Sequence, residues 1–225
     1  MHQLKWLLLL LFLFMFGCGG GSTGSEKQTE NQSSERLRIA CVGDSITEGY
    51  KLPNPATQSY PAQLAKLVDK DVDVRNFGLS GRTVLKAGNA PYWNSTQYKQ
   101  SLAYNPEIVV IMLGTNDMKD ENFAHKNDIV KDYNALVESY KALSAKPIIY
   151  ICLPTPSYGN FRGISNKRIV EVLIPSAKEV ASKHSLGVID LHTALSAKRA
   201  LFPDTLHPNA QAAKLMAEHV YATIY

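Results

Sequence analysis

The chain has 225 residues, enough for one ordinary α/β domain and too few for two. Its hydrophobic content of 45% is that of a globular protein, and its formal charge of +4 comes from 24 basic and 20 acidic residues scattered along the chain. There is no Lys/Arg tract and no regular interleaving of aromatic and basic residues, so nucleic acid is not an expected partner.

At the N-terminus, Lys5 precedes an unbroken apolar run from Trp6 to Phe16. That run is too short for an ordinary membrane span and fits the core of a signal peptide. It ends at Gly17-Cys18, a small residue before a cysteine, as in a bacterial lipoprotein signal. Residues 1–17 are therefore expected to be a signal peptide, with Cys18 the acylated N-terminus that anchors the protein to a membrane outside the cytoplasm. Plain secretion and an uncleaved anchor are the alternatives. Residues 18–35 are rich in Gly, Ser, Thr, Gln, Asn and Glu and contain no large apolar residue, which predicts a flexible tether. The folded domain is expected over 36–225.

Within the domain, strands are expected at 37–42, 72–77, 107–113, 147–153 and 187–191. Most are continuous apolar runs, the pattern of strands buried on both faces of a parallel sheet. Asp71 to Asn76 alternates instead, as an edge strand would. Helices are expected at 60–68, 127–145, 169–184, where Pro175 should introduce a kink, and 208–221, with Pro208 in the first turn. Strand and helix alternate, which implies an α/β, doubly wound, three-layer α/β/α sandwich with a five-stranded parallel sheet. In such a fold the site lies beyond the carboxyl ends of the strands. Cys41 and Cys152 lie in strand-like runs and are read as buried free thiols. The irregular stretches 83–105 and 154–166 are candidates for the rim of the site.

The strand ends carry the groups that acyl transfer requires. The first strand runs into Gly43-Asp44-Ser45-Ile46-Thr47, the second into Asn76 to Thr83, and the third into Gly114-Thr115-Asn116-Asp117. Downstream lies Asp204-Thr205-Leu206-His207-Pro208. Ser45 can act as nucleophile, His207 as the base that takes its proton, and Asp204 as the group that orients His207 and stabilises its imidazolium. The Ser45 and Gly81 backbone N–H groups and the Asn116 amide can hold the oxyanion. Asp44 and Asp117 are read as braces for their loops. Asp190 and His192 form a competing acid–base pair after the fifth strand, but no Pro-led helix follows them. His125, His184 and His219 are read as solvated. No cluster calls for a metal, and no cofactor is expected.

The four blocks, in this order, resemble the SGNH hydrolases, also called the GDSL esterase/lipase family, and the resemblance spans nearly the whole domain. It implies the flavodoxin-like sandwich of that family and a serine esterase mechanism. The nucleophile would be Ser45, the oxyanion donors Gly81 and Asn116, and the base pair His207 and Asp204. The stretch Gly88 to Asn94, followed by tyrosines, more loosely resembles bacterial esterases that act on sialate or polysaccharide O-acetyl groups. The implied substrate is a small-molecule or glycan ester, most simply an O-acetylated carbohydrate, with Tyr92 or Trp93 either offering a sugar-stacking face or packing beneath the loop. A lysophospholipase or short-chain lipase, and a catalytically idle glycan-binding lipoprotein, are the other readings.

Overall fold

The structure, a computed structural model, describes residues 36–225. The expected signal peptide, the tether and Cys18 lie outside the described residues. Five parallel strands build one sheet: β1 (Leu37–Gly43), β2 (Val72–Gly78), β3 (Ile108–Met112), β4 (Ile148–Leu153) and β5 (Gly187–Asp190). Their spatial order is β2-β1-β3-β4-β5. The order reverses between β1 and β3, so the chain leaving β1 and the chain leaving β3 run to opposite faces of the sheet, the position at which such folds form a crevice. Ser45 and Asn116 follow those two strands. The alternating strand β2 is an edge, as its pattern implied.

The three inner strands, β1, β3 and β4, bury both faces over most of their length, and the side-chain period of two sorts their residues into two cores. In β1, Ile39 and Cys41 face one layer, and Ala40 and Val42 the other. The first layer contains α2 (Tyr60–Leu64) and the C-terminal helix α6 (Ala210–Ile224), which contributes Ala212, Ala213, Met216, Ala217 and Val220. The opposite layer contains α4 (Ile129–Lys141), through Tyr133, Leu136, Val137 and Tyr140, and α5 (Ile174–His184), through Ala177 and Val180. Each fully buried Val, Leu or Ile side chain contributes about 1.5–3 kcal/mol. Two further helices are α1 (Ser45–Glu48), directly after β1, which carries Ser45, and α3 (Thr96–Ala103), within the stretch expected to be irregular.

Several boundaries differ from expectation for identifiable reasons. Pro175 does not simply kink one long helix. The residues before it, Ile169–Leu173, form a π-helical turn between the short helix Asn166–Arg168 and α5, where Pro175 sits in the first turn. Proline lacks the N–H for an α-helical bond, and the wider turn absorbs the mismatch. Pro208 is outside α6 altogether. Asn209 is the cap, its side chain accepting from the Ala212 N–H at 3.0 Å. The helix expected to reach residue 68 ends at Leu64 in bonds of shorter span, such as Leu67 N–H to the Leu64 carbonyl. Cys41 and Cys152 are buried and free, and burial pushes the Cys41 thiol up to about 12.

Candidate active site

Ser45 is the first residue of α1. Its predecessor Asp44 caps that helix by accepting from the Ile46 N–H at 3.0 Å. Gly43 permits the tight reversal between β1 and α1: a Cβ there would lie 2.0 Å from Thr47 Oγ1 and 2.7 Å from the Met112 carbonyl oxygen. The helix is tied sideways to the end of β2. Asn76 donates to the Thr47 carbonyl at 2.8 Å, and the Glu48 carboxylate accepts from the Ser80 N–H at 2.8 Å. This second bond holds the Ser80-Gly81 turn beside the helix that carries Ser45.

The downstream pair reaches Ser45 across the mouth of the sheet. Ser45 Oγ is 3.0 Å from His207 Nε2, and His207 Nδ1 is 2.8 Å from Asp204 Oδ2. The segment Asp204 to His207 is a compact turn and not a helix. Asp204 Oδ1 accepts from the backbone N–H groups of Leu206 at 3.1 Å and His207 at 2.7 Å, which fixes the carboxylate relative to the ring. Thr205 between them has φ +73, an uncommon conformation for a β-branched residue, held by bonds from Thr205 N–H to the Phe202 carbonyl and from Tyr158 N–H to the Thr205 carbonyl. Burial acts to raise the Asp204 carboxyl. Hydrogen bonds from Lys51, His207 and Leu206 outweigh it and hold the group well below the usual carboxylate range. Asp204 is therefore ionised wherever His207 would need it.

Asn116 lies in a 3₁₀ turn, Thr115–Met118, just past β3 and is almost fully buried. Its amide nitrogen is 3.1 Å from the Arg82 carbonyl oxygen and 3.3 Å from Asp44 Oδ2. One side chain thus touches the residue before Ser45 and the residue after Gly81, which ties the turns that follow β1, β2 and β3 to one another. The Asn116 backbone carbonyl in turn accepts from Asn122 at 2.8 Å. An ester carbonyl placed beside Ser45 would find an imidazole positioned to accept the serine proton, with the loops that carry Gly81 and Asn116 tied to the turn around Ser45. That arrangement suits attack on an acyl carbon followed by protonation of the leaving alcohol.

Asp44 and Asp117 are braces, as expected, and are fully buried. Asp117 accepts from the Val84 N–H at 3.0 Å and the Leu85 N–H at 2.7 Å. Burial raises each carboxyl to about 7, against the opposing effect of these N–H groups on Asp117 and of Ile46 on Asp44. In the unfolded chain an aspartate loses its proton near about 3.9. The stability due to holding these protons is thus full below that value and is lost as pH rises through about 7. Burial lowers His184 and His192, which act in the opposite sense, each against a neighbouring carboxylate, Glu138 and Asp190, that acts to raise it. Melting temperature is expected to fall by several degrees from about pH 5 to about pH 8, and Asp117→Asn should flatten that slope whatever its absolute stability. A flat wild-type profile would show that both carboxyls are ionised throughout.

Other expected roles need correcting. Tyr92 offers no sugar-stacking face. It is fully buried, its hydroxyl donating to the Phe77 carbonyl at 2.6 Å. Trp93 is half-buried, its indole N–H bonded to the Val84 carbonyl at 2.9 Å and its ring covered by the Lys86 ammonium at 4.2 Å. Both aromatics fasten the 83–105 loop. Asp190 is occupied in capping the helix Leu191–Leu195, and His192 pairs with Asn166 at 3.0 Å, so those two do not form an acid–base pair. His125 and His219 are exposed, whereas the His184 ring is covered and bonded to Asn134 at 2.7 Å. Among the described residues no group of three or more His, Cys, Asp or Glu side chains converges on one point.

The structure also adds residues that the sequence did not single out. Lys51 donates to Asp204 Oδ2 at 2.8 Å, and the exposed Tyr50 ring meets His207 edge-on at 4.9 Å between centroids. Asn122 and Asp132 join Asp117 in holding the 83–91 segment, through the N–H groups of Asn89 and Lys86. A pocket of about 420 Å³ opens beside the base pair, with Leu52, Pro53, Pro203 and Pro208 in its wall. A larger one, about 690 Å³, lies against Arg36, Arg38, Arg75 and Tyr104, remote from Ser45. Its Arg38 and Arg75 side chains are already paired with Glu107 and Asp73.

A model of the GDSL-like lipase/acylhydrolase family matches residues 41–215, a span that includes Ser45, Gly81, Asn116, Asp204 and His207. The chain belongs to this family. The chain is 36% identical over 208 residues to an acetylxylan esterase of Xylanibacter ruminicola, a match covering 84% of this chain and 43% of that protein. It thus spans less than half the length of that relative. Among solved structures, a carbohydrate acetylesterase from Sinorhizobium meliloti superposes with a TM-score of 0.71 at 21% identity, covering 84% of this chain and 98% of the other. An aryl esterase of M. smegmatis superposes with a TM-score of 0.65 at 21% identity, covering 83% and 99%. At such identities the structural likeness shows the fold, the five-stranded parallel sheet between helical layers that the resemblance implied. The GDSL family cleaves ester bonds, the chemistry that the groups around Ser45 can perform.

Proposed function

We propose that this GDSL-family domain removes acetyl groups from carbohydrates through an acyl-enzyme on Ser45. The unbroken chain of short contacts from Ser45 Oγ through His207 to Asp204 carries the mechanism. His207 takes the serine proton as the hydroxyl attacks, then gives it to the departing sugar hydroxyl. Water, activated by the same imidazole, releases acetate. The Ser45 and Gly81 N–H groups and the Asn116 amide hold the tetrahedral oxyanion, each donor contributing about 2.7–4 kcal/mol in the transition state. Identity with an acetylxylan esterase favours an acetylated polysaccharide over a lipid as substrate. A leader ending in Gly17-Cys18 would place the enzyme at a membrane surface outside the cytoplasm, where such glycans and their fragments are met.

The test is a substrate panel: acetylated xylan and acetylated monosaccharides beside p-nitrophenyl esters of increasing acyl length. The proposal expects release of acetate from the sugars and kcat/KM falling steeply beyond the shortest acyl chains. Preference for long acyl chains, with acetylated sugars untouched, would establish the lipase reading instead. No turnover of any ester would leave the glycan-binding reading.

A further inference from the structure

The chain leaving α1 folds straight back over the base pair. Gly49 ends α1 in a left-handed conformation, φ +89, with its N–H and that of Tyr50 both bonded to the Ser45 carbonyl at 3.0 and 2.9 Å. Lys51 also has positive φ, +65, an uncommon state for a residue with a Cβ, and the Leu52 N–H closes the turn on the Gly49 carbonyl at 3.1 Å. The buried Leu52 side chain anchors the far end in the core. As a result Tyr50 packs on the His207 ring and the Lys51 ammonium reaches Asp204 Oδ2, the same oxygen that faces His207 Nδ1. Nucleophile, base, acid and lysine form a closed loop of contacts, joined at both ends by one short piece of chain.

We propose that Lys51 is a positioning residue for the base pair: by sharing Asp204 Oδ2 with His207 it holds the carboxylate in line with the imidazole. This rests on the reading of His207 as the base. Three groups touch the imidazole, Ser45 Oγ from α1, the Tyr50 ring from the following turn and Asp204 from its own turn, and Lys51 reaches the far side of the Asp204 carboxylate. Of these Lys51 and Asp204 are charged. The lysine cation disfavours the imidazolium directly, and it also draws off part of the Asp204 charge that would stabilise it. Both effects have the same sign. A surface ion pair is a weak source of stability. Here its action is on proton affinity at the reacting centre, and the uncommon backbone at Lys51 keeps the ammonium in place.

The test follows the His207 imidazole by NMR titration, assigned with His207→Gln, beside the pH profile of kcat/KM. It uses wild type, Lys51→Met and Lys51→Arg. Lys51→Met is expected to move the His207 midpoint up by about half a unit or more, with the acidic limb of kcat/KM following it. Lys51→Arg should restore the wild-type position. High salt should move the wild-type midpoint in the same direction and leave Lys51→Met nearly unchanged, since the ammonium is half-exposed and screenable. That comparison needs no variant in the wild-type arm and stands even if Lys51→Met folds poorly. A midpoint unmoved by both substitution and salt would overturn the proposal, as would activity lost equally at every pH. A midpoint that moves while the activity limb stays in place would support the coupling and instead remove His207 from its role as base.

Discussion

Ser45→Ala is expected to lower kcat/KM by about 10⁶-fold, measured with p-nitrophenyl acetate as substrate. The expectation comes from the geometry of α1. Alanine keeps the helix start, the Asp44 cap and the Ser45 backbone N–H, so the binding surface and part of the oxyanion hole survive. Only the oxygen 3.0 Å from His207 Nε2 is removed. His207→Gln should cost a similar factor, and the double variant should be little worse than either single one. Nucleophile and base act as a unit, and once one is absent the other has nothing to do. Two independent, multiplying losses would mean that Ser45 and His207 do not share a proton.

The second large effect is expected from Asn116→Ala, with kcat lowered by about 10²–10³-fold and KM changed little. The Asn116 amide nitrogen has two neighbours in the free protein, the Arg82 carbonyl at 3.1 Å and Asp44 Oδ2 at the longer distance of 3.3 Å. A bond strengthened only in the transition state acts on kcat. Since Asn116 also bridges two loops, the melting temperature of the variant must be recorded with its kinetics. A well-folded variant whose change is confined to KM would remove Asn116 from the oxyanion hole.

The parts of the molecule that were legible in the sequence share a physical basis. Strands buried on both faces must be apolar throughout, so β1, β3 and β4 stood out as runs such as Ile108 to Met112. The edge position of β2 followed from its alternation. The blocks around Ser45, Gly81 and Asn116 stood out because each follows a strand, and a parallel sheet collects its strand ends on one side, whereas Asp204 and His207 reach Ser45 from a turn that precedes α6. What stayed hidden depends on backbone conformation that residue identity does not dictate. Lys51 is one more surface lysine until the left-handed backbone at Gly49 and Lys51 directs it to Asp204. Tyr92 and Tyr50 are both tyrosines beside polar loops, yet one is fully buried in the core and the other exposed against His207. The π-helical turn before Pro175 is a negotiated outcome of a missing N–H within a helix that packing still requires. His184 looked like a surface residue on a helix end, and only the packing of α5 against α4 brings Asn134 and Glu138 to it.

The most direct measurement of the central claim is rapid quenching of the enzyme during turnover of p-nitrophenyl acetate, followed by mass spectrometry of its peptides. An acyl-enzyme mechanism predicts a burst of p-nitrophenol and one acetyl group on the peptide carrying Ser45, both absent in Ser45→Ala. Full turnover with no acetyl group on that peptide, or the same burst in Ser45→Ala, would contradict it.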